Sequence, residues 1–256
     1  GGSGDFAADA ALSITDQIES QISILSQKRP IHKYIAYFQA FTNTYAPVEY
    51  LEKIFTEAIL DPDVRVLAVA TRPDCLSHET VELLRRLNQI KPVWIELGLQ
   101  TIHPQTARYI RRGYPLEVFD DAVVRLKAAG IQVITHVILF LPGETEAQML
   151  KTIDYLNCNP IDGIKLQLLH ILKGTDLARD YARSPFHIPD MDEYIRCIGN
   201  CIAHLRPDIV IHRLTGDGPK DLLIEPQWTG AKRTVLNHIH QYLKKQDIWQ
   251  GKEYYG

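Results

Sequence analysis

Four cysteines, Cys75, Cys158, Cys197 and Cys201, are the softest metal ligands in the chain, and their spacing decides what they can hold. Cys197 and Cys201 stand four residues apart, which puts two thiols on one helix face, yet no third cysteine lies near them and their neighbours are apolar. That pair reads as packing. His238 and His240, two apart, project to different sides of a helix and make a poor chelate. Glu96 and His136 sit inside apolar runs, Val93-Trp94-Ile95-Glu96-Leu97 and Val133-Ile134-Thr135-His136-Val137. A buried carboxylate or imidazole needs a partner, supplied either by the core or by a ligand. Gly216-Asp217-Gly218 offers either a tight turn or a nest of backbone N–H groups for an anion. No G-x-G-x-x-G, Walker loop, H-E-x-x-H or G-x-S-x-G occurs, so the common nucleotide, zincin and serine hydrolase signatures give no support.

The elements that must position these residues follow from periodicity. Apolar, β-branched or aromatic runs predict strands at Tyr34–Gln39, Val64–Ala70, Val93–Leu99, Gln132–Phe140, Ile164–His170 and Ile209–Arg213. Amphipathic stretches predict helices near Pro47–Leu60, Ser77–Gln89, Leu116–Ala129, Glu144–Leu156, Met191–Leu205 and Ala231–Lys245. Ser77 suits a helix N-cap, Pro47 a first helical turn, and Gly130 the position just past a helix end. Strands that are apolar on both faces point to a parallel sheet under helices, either doubly wound or a full or partial β/α barrel. Ligand sites in such folds lie at the C-terminal ends of the strands. Here those ends are polar: Thr42-Asn43-Thr44, Thr71-Arg72-Pro73-Asp74, Gln100-Thr101, Gly143-Glu144-Thr145, His170 with Lys173-Gly174-Thr175, and His212-Arg213. Together they predict one polar rim.

The 256 residues carry 45% hydrophobic and 23% charged side chains, which excludes disordered, collagen-like and mucin-like classes. A formal charge of -3, from 28 basic and 31 acidic residues, gives no whole-chain reason to bind a polyanion. No run approaches the roughly 18 apolar residues of a membrane span. The expectation is a soluble, cytoplasmic protein with one domain rather than two, and the few, unevenly spaced cysteines favour a reducing compartment.

Four strand-end sequences are recognisable: Tyr34-Ile-Ala-Tyr-Phe-Gln-Ala-Phe-Thr-Asn-Thr-Tyr-Ala-Pro47, Ala70-Thr-Arg-Pro-Asp-Cys-Leu76, Glu96-Leu-Gly-Leu-Gln-Thr101 and Ile211-His-Arg-Leu-Thr-Gly-Asp-Gly-Pro219. In this order they resemble the YhcC-like branch of the radical S-adenosylmethionine enzymes, related to the Elongator catalytic subunit and to oxygen-independent coproporphyrinogen oxidase. The resemblance implies an α/β fold, a partial (β/α)6-type parallel barrel missing its first strand, with a C-terminal strand and helix extension. It implies three parts: residues 1–30, the end of a cluster loop and a first helix; 31–175, the barrel core; and 176–256, an extension packed on it. Such enzymes hold a 4Fe-4S cluster on a C-x3-C-x2-C loop and reductively cleave S-adenosyl-L-methionine to a 5′-deoxyadenosyl radical. In the family that loop precedes a stretch matching Gly2-Ser3-Gly4-Asp5-Phe6. None of the four cysteines here has that spacing, so no metal ligand is assigned, and the chain as given is expected not to cleave the cofactor.

The resemblance also carries single positions. Gln100 matches a glutamine on the cofactor's ribose, and Arg112 an arginine on its carboxylate. His136 falls where a relative has a ribose-binding aspartate. Thr42 and Asn43 fall in the loop that elsewhere is glycine-rich and meets the methionine amino group, although Gln39-Ala40-Phe41 replaces the glycines. Arg72 matches a polar strand end near the cofactor. The chain departs from the family at Arg111-Arg112-Gly113-Tyr114, where Asn-Arg-Gly-His is expected, and at Phe140-Leu141-Pro142, where Gly-Leu-Pro is expected. The implied partners are an electron donor such as flavodoxin or ferredoxin and a tRNA or small-molecule substrate. The alternative is a non-catalytic barrel that binds a nucleotide-like ligand or RNA, with Arg108, Arg111, Arg112, Lys232-Arg233 and Lys244-Lys245 as phosphate contacts.

Overall fold

The structure, a computed structural model, describes residues 11–27, 32–39, 41–216 and 218–255. The Gly2–Phe6 stretch, Ala40 and Asp217 lie outside the described residues. In chain order the elements are α1 (Ile14–Ser26), β1 (Tyr34–Phe38), α2 (Val48–Leu60), β2 (Val64–Thr71), α3 (His78–Leu87), β3 (Val93–Gln100), α4 (Pro104–Tyr109) and α5 (Leu116–Ala128). There follow β4 (Gln132–Leu139), α6 (Glu146–Asn157), β5 (Gly163–Leu168), β6 (Ile171–Leu172), α7 (Asp176–Arg183), α8 (Met191–His204), β7 (Val210–Arg213), β8 (Leu223–Glu225) and α9 (Lys232–Lys245). The strands form a six-stranded sheet in the order β1-β2-β3-β4-β5-β7, and β6 pairs with β8 in a separate two-stranded ribbon.

The chain divides into two compact units, the first containing the described residues up to Gly98 together with Glu117–Ile134. In it β1, β2 and β3 are parallel neighbours, with Tyr37 beside Ala68 and Ala70 beside Glu96. Alternation puts Leu67 and Val69 of β2 and Ile95 and Leu97 of β3 on an apolar face, where all four are buried. Phe55 of α2 meets Phe38 of β1 edge-on at 5.0 Å on that face. Leu83, Leu84 and Leu87 of α3 and Phe119, Val123 and Leu126 of α5 complete the core. The local signals behave as the sequence suggests. The Ser77 hydroxyl accepts from the Thr80 N–H, and Gly130 takes φ +72° just beyond α5 while the Ile131 N–H bonds back to the Leu126 carbonyl at 3.0 Å. Pro47 stands one place earlier than expected, at the N-cap of α2.

The second unit contains Leu99–Leu116 and Thr135–Gly256. Its β5 and β7 are parallel, so the Ile209–Arg213 strand, expected as an extra element beyond the core, is the last strand of the main sheet. Ile164 and Leu166 of β5, Ile153 and Leu156 of α6, Tyr194, Ile198 and Ile202 of α8 and Ile239 of α9 are buried. Thr145 and Gln148 close a reciprocal capping box at the start of α6. The expected strand Ile164–His170 stops at Leu168. His170 lies beyond it, its Nε2 3.0 Å from Thr229 Oγ1, and the short strand β6 follows.

Candidate functional site

In the first unit the strand ends are tied to one another. The Asn43 amide donates to the Phe38 carbonyl at 3.1 Å and to the Ala70 carbonyl at 2.9 Å, so it pins the loop after β1 to the end of β2. The buried Thr44 hydroxyl lies 2.6 Å from that of Thr71 and donates to the Cys75 carbonyl at 2.6 Å. Thr42 is half-buried, and its carbonyl accepts from the Tyr45 N–H. Arg72 grips Asp74 with both arms of a fork, Nε to Oδ1 at 2.9 Å and Nη2 to Oδ2 at 2.7 Å. That hydrogen bonding holds the Asp74 carboxyl below its ordinary range. Glu96 is buried and accepts from the Tyr37 hydroxyl at 2.6 Å, so of the two roles left open for it the core pair is the one seen.

In the second unit β3 ends on Gln100, which has φ +68° although it is not glycine. Its half-buried side-chain amide makes no hydrogen bond among the described residues. Thr101, next along, donates its hydroxyl to Glu144 Oε1 at 2.5 Å, and this joins the loop after β3 to the loop after β4. Arg112 is buried and donates to three carbonyls, those of Leu99, Thr101 and Tyr114. His136 of β4 is partly exposed and accepts at Nδ1 from the Gln167 amide of β5 at 3.3 Å. Phe140 has φ +59°, which explains why relatives are expected to carry glycine there. Gly216 approaches His170 so closely that a β-carbon would lie 2.6 Å from the imidazole Cε1; close packing therefore accounts for this glycine.

The residues expected to bind the cofactor thus fall in two groups, Thr42, Asn43 and Arg72 in the first unit and Gln100, Arg112 and His136 in the second. Asn43 and Arg112 spend their donors on backbone carbonyls and Arg72 bonds Asp74, whereas the Gln100 amide is uncommitted. Periodicity missed a cleft of about 1000 Å³ in the second unit, lined in part by His103, Tyr109, Gly143, Gln148, Arg183 and Phe186. His103 Nε2 donates to the Gln148 carbonyl at 2.8 Å on one wall. At the other end of α4, burial and the neighbouring Asp180 raise the Tyr109 hydroxyl above its usual pKa. Pro104, which suits a first helical position, was the available signal for α4 beside this cleft.

The cysteines do not fit an iron–sulfur cluster. Cys75 follows β2 in the first unit, Cys158 is exposed at the end of α6, and Cys197 and Cys201 are buried within α8. The Cys201 thiol is pushed well above its usual pKa, first by its hydrogen bond with Cys197 and then by burial, the reverse of what a thiolate ligand needs. Among the described residues no group of three or more His, Cys, Asp or Glu is placed to hold a metal ion.

Comparison with known proteins supplies the family. Residues 9–156 match the Radical SAM superfamily and residues 161–245 the Radical_SAM C-terminal domain. The chain is 38% identical over 251 residues to the uncharacterized protein YtqA of Bacillus subtilis, covering 98% of this chain and 78% of that protein. It is 31% identical to protein YhcC of Escherichia coli, covering 92% and 76%. A tRNA uridine(34) acetyltransferase of Methanocaldococcus infernus is 24% identical over 71% of this chain and 34% of its own length. The solved structure of Elp3 from the same archaeon superposes with a TM-score of 0.77 at 19% identity, over 93% of this chain and 59% of that one. The fold is therefore the radical SAM partial barrel, and the chain belongs to the radical S-adenosylmethionine superfamily, in keeping with its YhcC-like branch.

Proposed function

We propose that this chain is the cofactor-orienting body of a radical S-adenosylmethionine enzyme with a tRNA-related substrate. The observation that carries the reading is Gln100, a strand-end amide in a left-handed conformation with no hydrogen bond among the described residues, at the position matching the family's ribose contact. An amide offers both a donor and an acceptor to a ribose diol. Thr42, Arg72 and His136 are the other side chains proposed to face the cofactor. A cluster held by ligands other than these four cysteines would, with the cofactor, supply the radical chemistry, and flavodoxin or ferredoxin would supply the electrons; the residues of this chain would bind and orient the cofactor. The tRNA proposal rests on the printed activity of the archaeal acetyltransferase relative and on Arg108, an exposed guanidinium on the cleft with no hydrogen bond among the described residues. No helix among the described residues is long and apolar enough to cross a membrane.

Binding of S-adenosylhomocysteine, followed by calorimetry, tests the reading together with anaerobic reconstitution. The chain is expected to bind the nucleoside and, since its cysteines do not fit a cluster, to yield no 5′-deoxyadenosine from S-adenosylmethionine and dithionite. Failure to bind refutes the cofactor role, and production of 5′-deoxyadenosine refutes the cluster argument. The second reading, a non-catalytic barrel binding RNA or a nucleotide-like ligand, is favoured by the same Arg108. Reading the coding DNA ahead of Gly1 separates the two, since a C-x3-C-x2-C segment in frame belongs only to the enzyme.

A further inference from the structure

At the end of β3 the Thr101 N–H donates back to the Leu99 carbonyl at 2.9 Å, closing a three-residue turn about Gln100. With φ +68° at its centre this is the positive-φ γ-turn, the rare and strained hand. Strained backbone persists only where its surroundings over-determine it. Arg112 does so here. Its Nη1 donates to the carbonyls on both sides of Gln100, Leu99 at 3.2 Å and Thr101 at 2.6 Å, while Nε donates to the Tyr114 carbonyl at 3.1 Å and the guanidinium lies 5.0 Å from the centre of the Tyr114 ring.

We propose that Arg112 is a positioning residue that clamps this γ-turn and so aims the Gln100 amide at the cofactor's ribose, in place of holding the cofactor's carboxylate itself. The proposal rests on the reading of Gln100 given above. A guanidinium grips a carboxylate through a pair of N–H groups on one edge, either Nε with Nη2 or Nη1 with Nη2. The bonds to Tyr114, Leu99 and Thr101 take a donor from each of those edges, so neither fork is left whole. The arginine is also 7% exposed, which suits an internal brace better than a ligand contact.

Two probes separate the roles. S-adenosylhomocysteine and 5′-methylthioadenosine share adenine and ribose, and the first alone carries the amino-acid carboxylate. Arg112→Lys is expected to weaken both by the same factor, roughly tenfold, and Gln100→Ala to do likewise, with no further loss when the two are combined. A loss confined to S-adenosylhomocysteine returns the arginine to the carboxylate and overturns the proposal. A second measurement needs no nucleoside. Gln100→Gly, which takes positive φ without strain, is expected to melt higher than Gln100→Ala, and Arg112→Lys is expected to lower the melting temperature less in the Gln100→Gly background than in the wild type. Equal lowering in both backgrounds overturns the clamp. If the stability coupling holds while the wild type binds neither probe, the cofactor reading is what fails.

Discussion

The Tyr37 hydroxyl donates to Glu96 at 2.6 Å, across the first unit's sheet, in which Tyr37 lies on β1 and Glu96 on β3 with β2 between them. A carboxylate that is 4% exposed in an otherwise apolar strand is thereby given a charge-assisted partner. Tyr37→Phe removes that donor and leaves the desolvation of the carboxylate in place. The cost is expected to be about 1.5–3 kcal/mol, read as a lower urea midpoint with unchanged slope. A variant as stable as the wild type would show that Glu96 does not depend on this bond.

Phe140 joins two opposed effects. Its ring is buried beside Tyr194 and His187, at centroid distances of 6.2 and 6.3 Å, while its backbone sits at φ +59°. Truncating the ring costs about 3–5 kcal/mol, and the left-handed backbone costs an L-residue about 1–2 kcal/mol. Phe140→Gly loses the ring but is released from the strain; Phe140→Ala loses the ring and keeps it. The glycine variant is therefore expected to be the more stable of the two, by about 1 kcal/mol in chemical denaturation. The opposite order would mean that the backbone at this position is not under strain.

The sheet was legible because its inner strands are largely buried on both faces and so read as apolar runs, as Val64–Thr71 and Val93–Gln100 do. Helix α7 was not, since Asp176–Arg183 is only 8 residues long, is rich in charge and buries no residue; its signals were the cap Thr175 and the preceding Gly174 at φ +78°. The same division holds at the candidate site. Gln100 could be found as a polar residue at a strand end, but its γ-turn could not, because a glutamine carries no mark of positive φ. The bond from Arg112 to that turn was hidden for a different reason. Its acceptors are backbone carbonyls, which every residue supplies, so spacing and residue type say nothing about them.

The cysteines should separate by reactivity. Cys158 is exposed, Cys75 is half-buried with its thiol pKa raised by burial and by Asp74, and Cys197 and Cys201 are buried. Only the thiolate attacks an alkylating reagent, and a buried thiol is shielded from it; that of Cys201 is also held protonated. Iodoacetamide at pH 8 is expected to label Cys158 first, Cys75 more slowly, and Cys197 and Cys201 only once denaturant opens α8. Mass mapping of the labelled peptides checks the order, and early modification of Cys201 would contradict the packing described for that helix.

Thr135 of β4 is 0% exposed, and its hydroxyl has no hydrogen-bond partner among the described residues. An unbonded hydroxyl keeps the cost of leaving water and gets nothing back for it, about 1–3 kcal/mol on mutational scales. Thr to Val is usually unfavourable in a core because it breaks a hydroxyl's bond, but here there is none to break. The methyl that replaces the hydroxyl is close to it in size, and both residues suit a strand. Thr135→Val is therefore expected to raise the thermal midpoint, by an amount equivalent to about 1 kcal/mol. A lowered midpoint would show that the Thr135 hydroxyl has a partner in solution, and a bound water would be the first group to look for.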